Sequence, residues 1–268
     1  MNGTMLIDGR PSRQVPADDR GLLYGDGLFE TIRCEGGRPR WLSRHWQRLR
    51  AGAARLHLPE PNLAALSAEV AQLAAGHARC LVKVVLTRGV GQRGYRPTGR
   101  EHATRVVAWH DWPASTPAAL QLGRSTVPLG ENPRLAGIKH LNRLEQVLAQ
   151  LELQPGLTDE VIMFASSGLP VCGSMSNLFV CQEHELLTPA VNSCGVAGVM
   201  RALVLEAAAA LAVPLRIVSL REQDLARATG LFMSNVRWGL MPVAEYGGRR
   251  LPADERVQRL WSWIDAQG

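Results

Sequence analysis

The sequence predicts an α+β protein built from two domains. Apolar runs of strand length and segments with helical spacing follow one another in both halves of the 268-residue chain. Between the halves, Asp111–Pro117 contains two prolines, a serine and a threonine, a composition typical of a linker. The chain is also long enough for two domains that each bury a core. We therefore predict a smaller N-terminal α+β domain at 1–112, a linker at 113–119 and a larger C-terminal α+β domain at 120–268.

In the N-terminal half, strands alternate apolar and polar residues, and helices repeat apolar residues every three or four positions. The clearest helical period follows Ser43, a residue that favours helix N-caps, with Trp46, Leu49 and Ala53 at helical spacing. The predicted elements are a strand at Leu28–Cys34, a turn at Glu35–Arg38, a helix from the Ser43 cap to about Leu56, a helix at Leu63–Ala75, and strands at Cys80–Arg88 and Thr104–Trp109.

The C-terminal half repeats this mixture, and its strongest helix is rich in alanine, the best helix former. The predicted elements are a strand at Leu120–Val127, a helix at His140–Leu151, strands at Val161–Ala165 and Leu178–Cys181, the alanine-rich helix at Arg201–Leu211, strands at Leu231–Ser234 and Met241–Val243, and a final helix from about Ala253.

Composition indicates a soluble protein of the cytoplasm. Hydrophobic residues make up 46% and charged residues 20%, which is ordinary for globular proteins, and no apolar run is of membrane-spanning length. The first residues lack the basic-then-apolar order of a signal peptide, and an odd count of five cysteines favours a reducing compartment. The pI near 9.5 raises the possibility of nucleic-acid binding. The arginines, however, are spread along the whole chain with few aromatics among them, which favours small anionic ligands.

Lysine is scarce in this sequence. Of 30 basic residues, only Lys83 and Lys139 are lysines, and all others are arginine. Arginine stays protonated, whereas a lysine can form an imine with a carbonyl group or shuttle a proton. Lys83 lies in an apolar run typical of a buried or half-buried strand, and Lys139 lies where a short loop leads into a predicted helix. Lys139 is therefore the candidate for imine chemistry, although a coding bias towards arginine would produce the same scarcity.

A lysine that forms an imine predicts pyridoxal phosphate as its partner, and this cofactor needs a site for its phosphate. Gly195–Arg201 leads into the alanine-rich helix, so its backbone N–H groups and the positive helix end would face one point. An ordinary glycine-containing turn has the same spacing, and spacing alone does not separate the two.

Two other segments carry polar side chains suited to an anionic ligand. Arg44, Arg48 and Arg55 fall on one face of the helix after Ser43, where one of them could give a forked phosphate contact; a solvated basic face is the commoner meaning. Gly89–Tyr95 is a glycine-rich loop with no helix after it, which excludes a dinucleotide loop and leaves a substrate-facing loop or a surface excursion. The histidines show no metal-ligand spacing, so no metal site is predicted.

Taken in order, several segments resemble the fold-type IV pyridoxal-phosphate enzymes, a family that includes branched-chain and D-amino-acid aminotransferases. The segments are Tyr24–Thr31, His45–Leu49, Gly137–Lys139, Asn177–Phe179 and Gly195–Arg201. Within this family, Leu135–Leu148 and Thr87–Tyr95 are similar to the 4-amino-4-deoxychorismate lyases. The resemblance implies a two-domain α+β fold of the D-amino-acid aminotransferase type and a pyridoxal 5'-phosphate cofactor. It also implies a lyase that converts 4-amino-4-deoxychorismate to 4-aminobenzoate and pyruvate in folate biosynthesis.

The resemblance also implies roles for individual residues. Lys139 would hold the cofactor and later shuttle the proton, and Arg48 would bind the cofactor phosphate. Further cofactor contacts would come from the N–H groups of Val199 and Met200 and from the turn Ser234–Val236, with Asn235 and Val236. Tyr95, Arg93 and Arg143 would lie near the substrate carboxylates.

One position departs from the family pattern. In the family, a glutamate five residues before the Asn-Leu-Phe triplet pairs with the pyridine nitrogen of the cofactor. Counting back from Asn177 gives Cys172, and a neutral thiol cannot stabilise a protonated pyridine as a carboxylate does. Weaker electron withdrawal by the cofactor is tolerable if formation of an aromatic ring drives the reaction. The alternatives are a low activity, another carboxylate near the pyridine nitrogen, or a different reaction.

Two further functions stay open from the sequence. An aminotransferase of the same fold, acting on D-amino or branched-chain amino acids, would use the same Lys139 and add a second half-reaction. A non-catalytic or nucleic-acid-binding protein could also keep the fold. The resemblance favours an enzyme that acts on a small dicarboxylate, forms a homodimer, and binds neither nucleic acid nor membrane.

Overall fold

The structure is a computed structural model, and it describes residues 4–113 and 116–268. The chain divides into two compact units. Unit 1 holds the described residues up to 113 together with Ile138–Asn142, and unit 2 holds the described residues from 116 to 137 and Arg143–Gly268. Ala114 and Ser115 of the predicted linker lie outside the described residues. The segment that carries Lys139 packs with unit 1, whereas the sequence analysis assigned it to the C-terminal domain.

Unit 1 is an antiparallel sheet covered by helices. Its elements are β1 Met5–Ile7, β2 Arg10–Pro11, α1 Arg20–Tyr24, β3 Gly27–Glu35, β4 Arg38–Pro39, α2 Leu42–Arg55, α3 Leu63–Ala74, β5 Arg79–Thr87 and β6 Arg105–Asp111. The strand order is β2-β1-β6-β5-β3-β4, and every pair is antiparallel. In β5, alternate residues from Cys80 to Leu86 are fully buried, because a strand turns successive side chains to opposite faces. The buried face packs against the apolar sides of α2 and α3.

Unit 2 is built on a sheet that closes on itself. Its elements are β7 Leu120–Arg124, α4 Leu144–Leu151, β8 Glu160–Phe164, β9 Pro170–Gly173, β10 Asn177–Cys181, β11 Leu186–Pro189, α5 Val199–Ala210, β12 Leu215–Val218, α6 Glu222–Ala226, β13 Gly230–Asn235, β14 Gly239–Tyr246, β15 Arg249–Arg250 and α7 Glu255–Asp265. The strand order is β12-β11-β10-β13-β14-β7-β8-β9, with β15 paired to β14. Because β9 also pairs with β10, six of these strands form a barrel-like ring.

The structure changes two predicted helix starts. The helix predicted to begin at the Ser43 cap begins at Leu42 and is capped by Trp41, whose left-handed backbone (φ 50°) leads the chain from β4 into the helix. The helix predicted from His140 begins only at Leu144, because residues 139–141 instead form backbone hydrogen bonds with β3. Lys83 lies on a strand as predicted, but its side chain is exposed.

Short elements escaped the sequence analysis. β1, β2, β4, β9, β11, β12, β15, α1 and α6 were not predicted. Each spans five residues or fewer, which is too short to show a period of two or 3.6. No helix among the described residues is long and apolar enough to cross a membrane.

Candidate active site

The lysine segment extends unit 1 along the start of β3. The amide of Phe29 donates to the carbonyl oxygen of Lys139 at 3.0 Å, and the amide of Leu141 donates to the carbonyl of Gly27, also at 3.0 Å. Leu28 and His140 form an antiparallel bridge between these two bonds. This extended conformation replaces the predicted helical turn and fixes the backbone on both sides of Lys139.

Both lysines of the chain approach the ring of Phe29. The Nζ atom of Lys139, which is half-buried, lies 4.2 Å from the ring centroid, and that of the exposed Lys83 lies 5.4 Å away. Contacts of this kind are attractive because the ring face carries partial negative charge. The two amines therefore share one aromatic neighbour and differ in burial.

A buried ionic cluster stands beside the lysine segment in unit 1. Glu30 on β3 is 1% exposed and faces two side chains of α2 that are three residues apart, His45 and Arg48. Arg48 Nε donates to Glu30 Oε1 at 2.7 Å, and its NH2 group donates to Oε2. His45 Nδ1 lies 2.7 Å from Glu30 Oε2. Two elements thus hold one carboxylate from two sides.

The charges of this cluster follow from its burial. Burial alone would raise the pKa of Glu30, but the Arg48 guanidinium and the hydrogen bond from His45 outweigh it and lower the pKa to about 2. Burial lowers the pKa of His45, and the charges of Arg48 and Lys139 act in the same direction. His45 is therefore neutral at pH 7. Because the Glu30 carboxylate only accepts hydrogen bonds, the one ring proton of neutral His45 must be on Nδ1.

The loop between β5 and β6 carries Arg93 and Tyr95, and Arg20 fixes its backbone. Arg20 NH1 and NH2 donate to the carbonyls of Gly94 and Tyr95, each at 2.8 Å, while its Nε bonds Asp26. The ring of Tyr95 lies 5.3 Å from that of Tyr24 and is 85% exposed. Both predicted substrate residues of this loop therefore belong to unit 1, on an anchored but exposed segment.

In unit 2, the predicted phosphate cradle is the start of α5. Gly195 has a positive φ of 82°, and Gly198 forms the N-cap without a side-chain hydrogen bond among the described residues. The first amides of α5, those of Val199 and Met200, thus begin the helix at an end that carries partial positive charge. A Cβ on Gly198 would lie 2.0 Å from Asn177 Oδ1, so glycine is required there. Asn177 Nδ2 also bonds the carbonyl of Val196 at 2.8 Å.

Buried donors near this helix end have no hydrogen-bond partner within the described residues. They are the Oγ of Ser234, which is 1% exposed, and the Nε of Arg201 in the first turn of α5. Ser234 and Asn177 are register partners on β13 and β10. Since buried polar groups are nearly always bonded, donors of this kind indicate an acceptor supplied from outside the chain.

The turn after β13 holds the other two predicted cofactor residues. Asn235 Oδ1 accepts from the amide of Trp238 at 2.7 Å, and Asn235 and Val236 are both half-buried at this turn. The Nε of Arg237 and the Nε1 of Trp238 are further buried donors without partners in the described part of the chain.

Cys172 lies on β9 of unit 2 and is 6% exposed. Burial raises the pKa of its thiol to about 12, with Cys194 and Glu160 acting in the same direction and Arg143 opposing them. The thiol is therefore neutral at pH 7. Arg143 forms the N-cap of α4, so its charge reaches Cys172 from the start of that helix.

Glu160 is the carboxylate that acts most strongly on the Cys172 thiol, and its oxygens already accept hydrogen bonds. It is fully buried. It accepts bonds from the amides of Val161, Ser174 and Met175 and from the hydroxyls of Ser174 and Ser176. Glu160 thus holds the loop that follows Cys172 in place.

These observations define the class of protein. Unit 1 presents a half-buried lysine beside an ionic cluster that contains arginine. Unit 2 presents a helix end without a side-chain cap and buried donors that have no partner among the described residues. An amine that can form an imine and a separate cradle for an anion are what a pyridoxal-phosphate enzyme requires.

The comparisons with known proteins agree with this class. The model of the class IV amino-transferase family matches residues 27–246, and the chain belongs to that family. An aminodeoxychorismate lyase of Vibrio harveyi is 33% identical over 89% of this chain and 89% of its own length. A crystal structure of 4-amino-4-deoxychorismate lyase from Pseudomonas aeruginosa is 38% identical, covers 98% of both chains and superposes with a TM-score of 0.93. A putative branched-chain aminotransferase of Methanocaldococcus jannaschii is 29% identical over 93% of this chain.

Several residues of these clusters escaped the sequence analysis. Glu30 occupies a polar position in an alternating strand, where solvent contact is the usual expectation. Its signal is the pairing of a strand carboxylate with His and Arg at positions 45 and 48 of the next helix. Glu160 carries no spacing signal, because its role depends on strand register, whereas Ser234 entered the sequence analysis through the turn Ser234–Val236 that the resemblance implied.

Proposed function

We propose that this chain is a pyridoxal-phosphate-dependent carbon–oxygen lyase that converts 4-amino-4-deoxychorismate to 4-aminobenzoate and pyruvate in folate biosynthesis. One observation carries the proposal: relatives that bear the lyase name are 33% and 38% identical over nearly the whole chain. The aminotransferase relatives are less similar, at 29% and 25% identity. An aminotransferase of the same fold is therefore the less favoured alternative.

The residues present fit the cofactor. Lys139 supplies the amine that holds the carbonyl carbon of pyridoxal phosphate. Arg48 in unit 1, and in unit 2 the amides of Val199 and Met200 with the turn that contains Asn235 and Val236, bind the phosphate. Within the described part of the chain, the Ser234 hydroxyl has no partner and no side chain caps the start of α5. Both observations support this assignment, because both groups need an acceptor.

The reaction places a proton transfer on Lys139. When bound, the cofactor withdraws electrons from the substrate carbon that bears its amino group. With the substrate amine held by the cofactor, the amine of Lys139 would be free to remove the proton from C4. The bond between C3 and the enolpyruvyl oxygen breaks, and its electron pair leaves with that oxygen. The leaving enol takes up a proton to become pyruvate, and the remaining ring is aromatic. Arg93, Tyr95 and Arg143 bind the substrate carboxylates.

Cys172 stands in place of the carboxylate that pairs with the pyridine nitrogen. Its neutral thiol leaves that nitrogen without a negative partner, and the bonds around Glu160 make it a poor substitute. We expect electron withdrawal to be weaker here than with a carboxylate. A lyase tolerates this because formation of an aromatic ring lowers the energy of its product, whereas transamination has no such contribution.

The product assay tests the reaction directly. We expect the purified protein, loaded with pyridoxal phosphate and supplied with 4-amino-4-deoxychorismate, to release 4-aminobenzoate and pyruvate in equal amounts. Transfer of amino groups to 2-oxoglutarate without any 4-aminobenzoate would instead establish the aminotransferase.

Lysine variants test the attachment of the cofactor. Lys139→Ala should abolish the visible absorbance of the lysine-bound cofactor and its covalent trapping by borohydride. Lys83→Ala is the matched control, since Lys83 is the other lysine of the chain and contacts the same Phe29 ring. Equal loss in both variants, or a wild-type protein that never takes up the cofactor, would contradict the proposal.

The homodimer and the cytoplasmic location also remain proposals. Leu144, Val147, Leu148 and Leu151 recur at helical spacing on α4 and are 51–77% exposed, an apolar face that a second copy of the chain would cover. All five cysteines are unpaired, as expected in a reducing compartment. Leu148→Glu should convert a dimer to a monomer in sedimentation, whereas Leu157→Glu, at an exposed leucine outside α4, should not. A monomeric wild type would contradict the dimer.

A further inference from the structure

We infer that Glu30, with His45 behind it, is a positioning residue for the cofactor phosphate, acting through Arg48. This inference rests on the assignment of Arg48 to the phosphate under the proposed function. It adds two residues that touch neither cofactor nor substrate in that assignment.

The geometry fixes one edge of the guanidinium. Glu30 takes the Nε and NH2 edge of Arg48 in a forked contact, with 2.7 Å from Nε to Oε1. This arrangement directs the NH1 end of the planar guanidinium away from the carboxylate, towards other acceptors. A long arginine side chain that is 15% exposed would otherwise sample several rotamers. The carboxylate thus reduces the entropy that phosphate binding must remove.

His45 fixes the carboxylate in turn. Its Nδ1 lies 2.7 Å from Oε2 of Glu30, and its ring is fully buried on α2. Since Arg48 comes one helical turn later on the same helix, His45 and Arg48 hold Glu30 from a single rigid element. The strand, the helix and the three side chains form one preorganised unit, which is the usual support for a binding residue.

A simple charge argument predicts the opposite effect. Glu30 is negative, so its removal would increase the net positive charge near Arg48 and strengthen phosphate binding. Positioning should dominate, because a forked donor in a fixed orientation gains more than a mobile one. Removal of Glu30 should therefore weaken phosphate binding if Glu30 positions Arg48, and strengthen it if net charge dominates.

The test compares binding of pyridoxal phosphate and pyridoxal, which lacks the phosphate. Both can form the imine with Lys139, so the dissociation constant of pyridoxal divided by that of pyridoxal phosphate isolates the phosphate contact. In Glu30→Gln we expect this ratio to fall about tenfold, through weaker binding of pyridoxal phosphate and unchanged binding of pyridoxal. Glu69→Gln is the matched control, because Glu69 is also a buried partner of an arginine in unit 1, bonded to Arg105 at 2.9 Å. It should leave the ratio unchanged.

A double-mutant cycle shows whether Glu30 acts through Arg48. Arg48→Lys should also lower the ratio, and adding Glu30→Gln to it should change the ratio no further. If Glu30→Gln does not fold, Glu30→Asp, which keeps the charge but withdraws the carboxylate from Arg48, takes its place with a smaller loss.

The outcomes separate this inference from the proposed function. An unchanged or raised preference for the phosphate in the Glu30 variants, with a normal loss in Arg48→Lys, overturns the positioning role alone. Additive losses in the cycle also overturn it. No effect of Arg48→Lys overturns the phosphate assignment of Arg48, and the positioning role with it. Failure of the wild type to bind either aldehyde contradicts the cofactor itself.

Discussion

The polar groups beside Lys139 in unit 1 and those at the start of α5 in unit 2 are arranged in opposite ways. In unit 1, Glu30 and His45 are buried and Arg48 is 15% exposed, and both His45 and Arg48 bond Glu30. In unit 2, the hydroxyl of Ser234 and the Nε of Arg201 have no partner within the described residues, and the helix end has no side-chain cap. The charged groups of the first cluster are paired within it, while His45 Nε2 has no partner among the described residues, and the donors of the second require an acceptor from outside.

Under the proposed function, the two clusters contribute to cofactor binding in different ways. The cluster of unit 1 should contribute to the stability of the protein before the cofactor arrives, because its charges already compensate one another. The donors of unit 2 should contribute chiefly after it arrives, because only then do they gain a partner. Four measurements test this division, from the largest expected effect to the smallest.

Glu30→Gln should break the cluster of unit 1 without any cofactor present. It removes the buried carboxylate from the half-buried Arg48, and breaking a buried ion pair costs about 3–5 kcal/mol of stability. Urea unfolding of the cofactor-free protein measures this loss. A loss below about 1 kcal/mol would show that the cluster is not held together before binding.

The same cluster should make the free energy of unfolding depend on pH under acidic conditions. The folded pKa of Glu30, about 2, lies below its ordinary value of 4.5, so the stabilisation is present above pH 4.5 and disappears as the pH falls towards 2. By linkage, this span corresponds to roughly 3 kcal/mol. Unfolding free energies measured from pH 5 to pH 2 should therefore fall less steeply in Glu30→Gln than in wild type. Identical slopes in the two proteins would contradict the lowered pKa.

Gly198→Ala should disturb unit 2 sterically. The new methyl group would lie 2.0 Å from Asn177 Oδ1, so the helix start or the side chain must move, at a cost of about 1–3 kcal/mol. Binding of pyridoxal phosphate should weaken as well, because the first amides of α5 shift. Gly156→Ala provides a control for the loss of a glycine, since a Cβ there meets no atom within 4 Å, although its positive φ adds some strain. Normal cofactor affinity in Gly198→Ala would count against the cradle.

Ser234→Ala should have the smallest effect on the cofactor-free protein. It removes a buried hydroxyl that has no partner among the described residues, so stability should stay unchanged or rise by up to about 1 kcal/mol. With pyridoxal phosphate present, the affinity should fall about tenfold, as expected for a lost hydrogen bond to a charged group.

Ser176→Ala is the matched control for this variant. Its hydroxyl is buried in the same unit but bonded to Glu160 at 2.8 Å, so its loss should destabilise the cofactor-free protein. Equal destabilisation by Ser234→Ala and Ser176→Ala would remove the distinction between the two units.

Two features of the candidate site could be predicted from the sequence, a residue of a rare type and a glycine pattern before a helix. Lys139 stood out by its scarcity, and Gly195–Arg201 by glycines that precede a helix. The predicted start of α4 at His140 was wrong. Helix propensity favours a helix from that residue, but tertiary hydrogen bonds to β3 keep residues 139–141 extended. Assignment of Lys139 to the C-terminal domain failed for the same reason, since those hydrogen bonds come from unit 1.

Partners that meet only through tertiary structure could not be predicted. Glu30 and Arg48 lie 18 residues apart on different elements, and nothing in either local pattern requires that they meet. The occupied state of Glu160 depends on the register of β8 and β9, which places it against the loop after Cys172. Local sequence specifies which residues are polar, while register decides which of them are paired.

The lysine segment also sets an order for the synthesis of the protein. Asn142 Nδ2 donates to the carbonyl of Gly25 at 3.2 Å, and the two residues are 117 positions apart in the chain. The amide of Phe29 donates to the carbonyl of Lys139 over a similar separation. Unit 1 is therefore incomplete when its last strand, β6, leaves the ribosome. It closes only after residues 138–142 emerge, by which time the first strand of unit 2 has been made. During that interval the start of β3 is paired with β5 on one side only, and its other edge is exposed.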